Sequence, residues 1–269
     1  MIHTEFCYAL NIVLISRLGF VLRDEALKMR ELPYLIVFQF LGLLVFQITW
    51  TSLALMVLLG LMNAAHFYTE DSRAKNPLDL VQIRISFLIV YLVIFSFFFS
   101  AGMGIKFSPY LKPIAKAWGE YFIIFRWLQD LNWTELQIRM MGFLLIINEV
   151  NLIIRLYFQT FDLLPRQEES LLRLAPDSEV SAEPTRAPLD EKEYNAGRAI
   201  GILERTLIYF FVLYNDFAAI GFVIAAKSFT RFRELDKRHF AEYVLIGTLM
   251  SSTLAILVAE LIKFLLKNA

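Results

Sequence analysis

Cysteine and histidine are scarce in these 269 residues: one thiol, Cys7, and three scattered imidazoles, His3, His66 and His239. A lone cysteine excludes an internal disulfide, and the four side chains lack the spacing of a zinc cluster. Net charge is missing too. Lys and Arg number 26, Asp and Glu number 26, and the sequence pI is about 6.9. Nothing global therefore points to nucleic acid or to another polyanionic partner. The motifs of common catalysts are absent as well: no HExxH, no Cys-x-x-Cys, no GxSxG elbow, no Walker A loop and no aspartate pair with the spacing of an intramembrane protease. "GMGIKF" (Gly102–Phe107) has the glycines of a phosphate loop but follows an apolar run, and reads as a helix end. No catalytic residue, metal or cofactor is expected. A lipid-modifying enzyme would need a constellation that is not found.

Apolar sequence is abundant. The chain is 58% hydrophobic with 25 Phe and a mean hydropathy of +0.56, where soluble domains sit near about 45–50% apolar. The excess lies in long runs, so the expected fold class is all-α: a polytopic helical membrane protein whose first partner is the lipid bilayer. The start, "MIHTEFCYALNIVLISRLGF", lacks a basic n-region and is interrupted by Arg17, so it is expected to be retained rather than cleaved.

Runs and breaks divide the chain into about eight segments: Phe6–Leu22, two within Leu32–Tyr68 folded at "QITWTS" (Gln47–Ser52), Leu80–Met103, Gln137–Phe161, two within Gly197–Phe229 folded at "YND" (Tyr214–Asp216), and Phe240–Leu266. The two folded runs are expected as short helical hairpins. Each arm has about 17 residues, or about 25 Å, against a core of about 30 Å, so they are expected to tilt, thin the bilayer or stop short. The aromatic and basic stretch 108–133 suits an interfacial helix. The acidic, proline-containing residues 165–195 read as a polar cytoplasmic linker, between an N-terminal membrane bundle (1–164) and a C-terminal one (196–269).

Basic residues cluster in four connections: Arg23–Glu31, Thr69–Asp79, the linker, and "TRFRELDKRH" (Thr230–His239). Alternating the segments puts all four on the cytoplasmic side and both termini outside, as the positive-inside rule requires; only the interfacial stretch dissents. The halves also share a layout, and "AAHFYT" (Ala64–Thr69) nearly repeats as "AAKSFT" (Ala225–Thr230). A parallel internal repeat explains this; a chance match of two alanine-rich helix ends explains it equally.

Charges fall inside several apolar runs. In "GRAIGILERTLIYFFVLYNDF" (Gly197–Phe217), Glu204 lies two turns in, and Gly197 and Gly201 form a small-xxx-small spacing that admits another helix, in this chain or in an oligomer. An ionised group at mid-membrane costs about 2.5–3.5 kcal/mol on insertion scales, so it should face protein or water. The candidate polar centre comprises Arg155, Arg198, Glu204, Arg205, Asp216, Lys227 and Glu242, with Arg155 the expected partner of Glu204. Arg84, Arg198, Arg205, Lys227 and Glu242 lie near enough to the cytoplasmic interface to snorkel. Ion pairs that merely fix helix register are the structural alternative.

The C-terminal text carries one family resemblance. Gly197, Arg198, Gly201, Glu204 and Arg205, then Gly221, Lys227 and Ser228, then Glu242, Tyr243, Gly247 and Thr248 follow a signature similar to the prokaryotic membrane proteins grouped as domain of unknown function 3307. The match covers Ala196–Ser252, about a fifth of the chain. Family members open on a helix bearing His and Asp, where this chain has "CYALNIVLISRLGF", so no N-terminal role carries over. The resemblance implies a multi-pass protein of a prokaryotic inner membrane and no particular activity. Taken together, the sequence points to a non-enzymatic transport or signalling component with a polar intramembrane centre. The alternative is a membrane scaffold or sensor that binds a protein partner through its cytoplasmic linker and basic loops.

Overall fold

The computed structural model describes residues 4–20, 26–74, 76–110, 113, 132–161, 191–230 and 238–269. These residues are helical almost throughout: α1 (Thr4–Arg17), α2 (Leu32–Leu43), α3 (Trp50–Arg73), α4 (Pro77–Phe98), α5 (Trp133–Leu144), α6 (Val150–Thr160), α7 (Glu191–Leu213), α8 (Phe217–Thr230) and α9 (Arg238–Lys267). A single π turn, Leu145–Glu149, joins α5 to α6 into one rod. Most of the expected interfacial helix at 108–133 and most of the expected linker lie outside the described residues. Helix α7 begins at Glu191, so its first turn extends into the segment read as linker.

Among the described residues, four helices are long and apolar enough to cross a membrane: Trp50–Arg73, Leu78–Phe98, Trp133–Thr160 and Val244–Lys267. This is the pattern of a multi-pass membrane protein. The rod α5–α6 is the most enclosed of them, with 56% of its apolar window buried against 28–33% for the others. The others turn large apolar side chains outward, among them Val57, Leu61, Val93 and Leu257, as lipid-facing helices do.

Local chemistry sets the breaks. Thr49 starts α3 with a reciprocal cap: its Oγ1 accepts from Ser52 N–H at 3.2 Å while Ser52 Oγ accepts from Thr49 N–H at 2.8 Å. Pro77 opens α4, where a missing N–H leaves no helical bond unmade. Helix α7 ends in a Schellman arrangement. Asn215 takes φ +60°, its N–H bonds Val212 C=O at 3.0 Å, and Asp216 N–H bonds Phe211 C=O at 2.8 Å. Arm lengths differ from the even split expected at these breaks. The arms have 12 and 24 residues in α2 and α3, and 23 and 14 in α7 and α8. At 1.5 Å per residue, α2 reaches about 18 Å and α8 about 21 Å, short of a full crossing.

Side-chain rungs fix how the helices sit. Helix α1 runs parallel to the rod, with Thr4 bonded to Thr134 (2.7 Å), Asn11 to Gln137 (2.8 Å) and Arg17 to Glu149 (2.8 Å). Helices α3 and α4 are antiparallel, with Tyr91 bonded to Asn63 and Arg84 to Glu70. Their far ends are closed by a backbone bridge between Phe46 and Phe107, whose rings stack at 5.3 Å. Gly142 lets α9 and α7 approach the rod, since a Cβ there would strike Ile262 and lie 2.6 Å from Tyr209 Oη. Tyr209 donates to Arg139 C=O across the same contact at 2.7 Å.

Candidate functional site

Among the described residues, a connected and buried polar assembly is built by α1, α3, α4 and the π turn, away from the C-terminal hairpin. Glu149 closes the π turn, a helical irregularity that recurs at functional sites. Arg17 presents one edge of its guanidinium to Glu149, Nε to Oε1 at 2.8 Å and Nη2 to Oε2 at 3.0 Å. Asn148 Nδ2 donates to the same Oε1 at 2.7 Å. On α3 and α4, Arg84 Nε donates to Glu70 Oε1 at 2.9 Å, and His66 Nε2 lies 3.0 Å from that oxygen. His66 is held flat against Phe87, ring centroids 4.4 Å apart.

Two further bonds join these parts. Arg17 Nη2 also donates to Arg84 C=O at 2.9 Å, which links the two ion pairs. Glu70 Oε2 accepts from Leu27 N–H at 2.9 Å, which ties the network to the α1–α2 connection. None of these charged side chains is more than 4% exposed. Two guanidinium groups face two carboxylates, so formal charge balances without the imidazole. Pairing of this kind is what makes buried charge tolerable in a low-dielectric interior. A second polar chain runs alongside: Gln39 donates to Ser16 Oγ (2.9 Å), Asn63 to Gln39 Oε1 (2.7 Å) and Tyr91 to Asn63 Oδ1 (3.1 Å).

The seven residues expected to form a centre are spread out. Glu204 and Lys227 meet, Nζ to Oε2 at 2.5 Å, across the α7–α8 hairpin. Lys227, not Arg155, is thus the partner of Glu204. The reason is hairpin register: the two residues lie 11 and 12 positions from Asn215, on antiparallel arms. Arg205 is buried against α9 and donates from Nη1 to Ser251 Oγ at 3.3 Å. Arg198 is buried on the same helix. Arg155 is half-buried on α6, apart from the Glu204–Lys227 pair. Asp216 is exposed and accepts from Ala219 N–H at 3.2 Å, capping α8. Glu242 is exposed near the start of α9. Arg84 and Arg205, expected to snorkel, are 0% and 4% exposed and stay inside.

Arg17, His66, Glu70, Arg84 and Glu149 were not among those seven. Arg17 and Glu70 sit near the ends of their helices, where a charge looks solvated, and their partners come from distant parts of the chain. No family model matches this chain, and no curated protein or solved structure matches it. Among the described residues no group of His, Cys, Asp and Glu could hold a metal ion.

Proposed function

We propose that this chain is a non-enzymatic signalling component of a prokaryotic inner membrane, and that the Arg17–Glu149 and Arg84–Glu70 pairs with His66 are its polar centre. The observation that carries the reading is the bond from Leu27 N–H to Glu70 Oε2. It connects a charge assembly buried among membrane helices to a connection bearing exposed Lys28 and Arg30. A change in protonation or pairing at Glu70 would alter what holds that connection in place, which is how a local electrostatic event reaches a surface. Transport is the second branch, and the sealing of every charged group in the centre weighs against it.

The positive-inside rule supports placing Lys28, Arg30 and Arg73 on the cytoplasmic side, with Phe46, Phe107 and both chain ends opposite. A protein partner would then meet the basic face. Membership of the domain of unknown function 3307 family is proposed on the signature across Ala196–Ser252, and the parallel internal repeat on the matched alanine-rich ends. The test is hydrogen exchange on the full chain in lipid nanodiscs, with a flux assay in liposomes. Glu70→Gln is expected to speed exchange of the Leu27 amide at least tenfold, with ion and solute flux at background in both proteins. Unchanged protection of Leu27 would refute the coupling. Flux abolished by Glu149→Gln would favour transport.

A further inference from the structure

We infer that Arg205 is the anchor of a phosphate-binding site between α7 and α9, distinct from the centre described above. The argument starts from its guanidinium, 4% exposed. Nη1 donates to Ser251 Oγ, but Nε and Nη2 are buried and have no hydrogen-bond partner. Those two nitrogens form one edge of the guanidinium, the edge that binds a two-oxygen anion side-on. Arg17 shows that edge in use within the same protein, filled by both oxygens of Glu149 at 2.8 and 3.0 Å. Arg205 offers the same two donors without a hydrogen-bond partner.

The helices that pack on α7 supply no acid for this edge. Helix α8 contains none, and α9 has none between Val244 and Val258. Glu149 in the π turn is held by Arg17 and Asn148. Glu204, next in sequence, is held by Lys227. A buried guanidinium without a counter-charge is strongly disfavoured, more so in a bilayer. Glu204 acts on Arg205 through space alone, which leaves the open edge to an anion that is not part of these helices.

Its chemistry follows from the surroundings. Arg198 lies seven residues back on the same helical face and is also buried. The Ser251 hydroxyl beside Arg205 supplies an O–H group suited to a further oxygen of a phosphate, beyond the two that fill the guanidinium edge. Gly201 lies between the two arginines, and a methyl there would make ordinary van der Waals contact with Arg205 Nη1, at 3.5 Å. The phosphate belongs either to a lipid headgroup or to free phosphate.

Thermal unfolding of the full chain in nanodiscs separates these sources. Inorganic phosphate is titrated against chloride at constant ionic strength in phosphatidylcholine, and phosphatidylglycerol is titrated into the same discs without phosphate. Saturable stabilisation is expected in one arm, reaching about a hundredfold in the folded-to-unfolded ratio at a hundred times the dissociation constant. Response to free phosphate assigns the free ion, and response to phosphatidylglycerol alone assigns the headgroup. Arg205→Gln is expected to weaken the response at least tenfold. Arg205→Lys, which keeps the charge but loses the paired edge, is expected to weaken it severalfold and covers the case where the glutamine variant does not fold. No response in either arm, or an equal response in Arg205→Lys, overturns the proposal. Because the readout does not involve Leu27 or Glu70, it stands or falls separately from the signalling reading.

Discussion

Replacing Glu149 by Gln keeps the shape of the side chain and removes its charge. Arg17 then faces an amide in place of a carboxylate that accepted two of its bonds, at 2.8 and 3.0 Å. One of the two new contacts sets an N–H group against an N–H group, and the guanidinium, 3% exposed, cannot turn to water. Breaking a pair at this burial costs about 3–5 kcal/mol, most of it the stranded charge. Adding Arg17→Gln removes that charge, so the double variant should recover part of the loss, with a coupling of up to about 3 kcal/mol. Recovery stays incomplete, because Arg17 also satisfies Arg84 C=O. The internal control is Glu135–Arg139, a 3.5 Å pair with both partners more than 40% exposed, for which Glu135→Gln should cost no more than about 0.5 kcal/mol. Chemical denaturation in mixed micelles, run on the four network proteins and the control, gives all of these values. Equal losses at Glu149 and Glu135, or simple additivity of the Arg17 and Glu149 changes, would refute the reasoning.

Gly142→Ala should destabilise by about 1–3 kcal/mol through overpacking against Ile262 and Tyr209, and a Tyr209→Phe change should relieve only part of it; a neutral Gly142→Ala in thermal melts would show the contact to be looser than described. With the buried thiol removed by Cys7→Ala, a cysteine at Asn76 should label from the cytoplasmic side and cysteines at Ser108 and Ala269 from the other; labelling of all three from one side breaks the proposed topology. Glu204→Gln and Lys227→Gln should each cost about 1–3 kcal/mol and be strongly non-additive together, while Glu204→Gln with Arg155→Gln should be additive within about 0.5 kcal/mol in the same melts.

Helices were legible in the sequence because long apolar runs end where polar residues interrupt them, as at Gln47–Ser52 and Tyr214–Asp216. What the runs did not show was where a helix stops inside an apolar stretch. Leu44 to Phe46 are as hydrophobic as α2 itself, yet they leave the helix because Val45 C=O and Gln47 N–H pair with Ser108 and Lys106 sixty residues on. The polar centre was hidden for a related reason. Arg17 and Glu149 are 132 positions apart, and neither carries a local mark of its partner. The Glu204–Lys227 pair, by contrast, was readable: nearly equal distances from a recognised turn put two opposite charges side by side on antiparallel arms. Arg155 was favoured over Lys227 on estimated depth, a coarser measure than register.

Stability alone does not explain the central network. Well-packed apolar residues in place of a buried ion pair are often neutral or stabilising by about 1–4 kcal/mol, so a chain this rich in Leu, Ile and Phe had a simpler way to fill the space. Fixing register is a better reason, and it fits the parallel seam between α1 and the rod. But Thr4–Thr134 and Asn11–Gln137 already mark that register without burying charge, and the Tyr91–Asn63 rung does the same for α3 and α4. Two features exceed what register requires. Arg17 bridges both ion pairs through Arg84 C=O, and Glu70 reaches past its own helix pair to hold Leu27. Both bonds also satisfy buried polar groups, which any aligned bundle needs. What they add is a continuous path from a buried carboxylate to a basic surface connection, the path that the proposed signalling role would use.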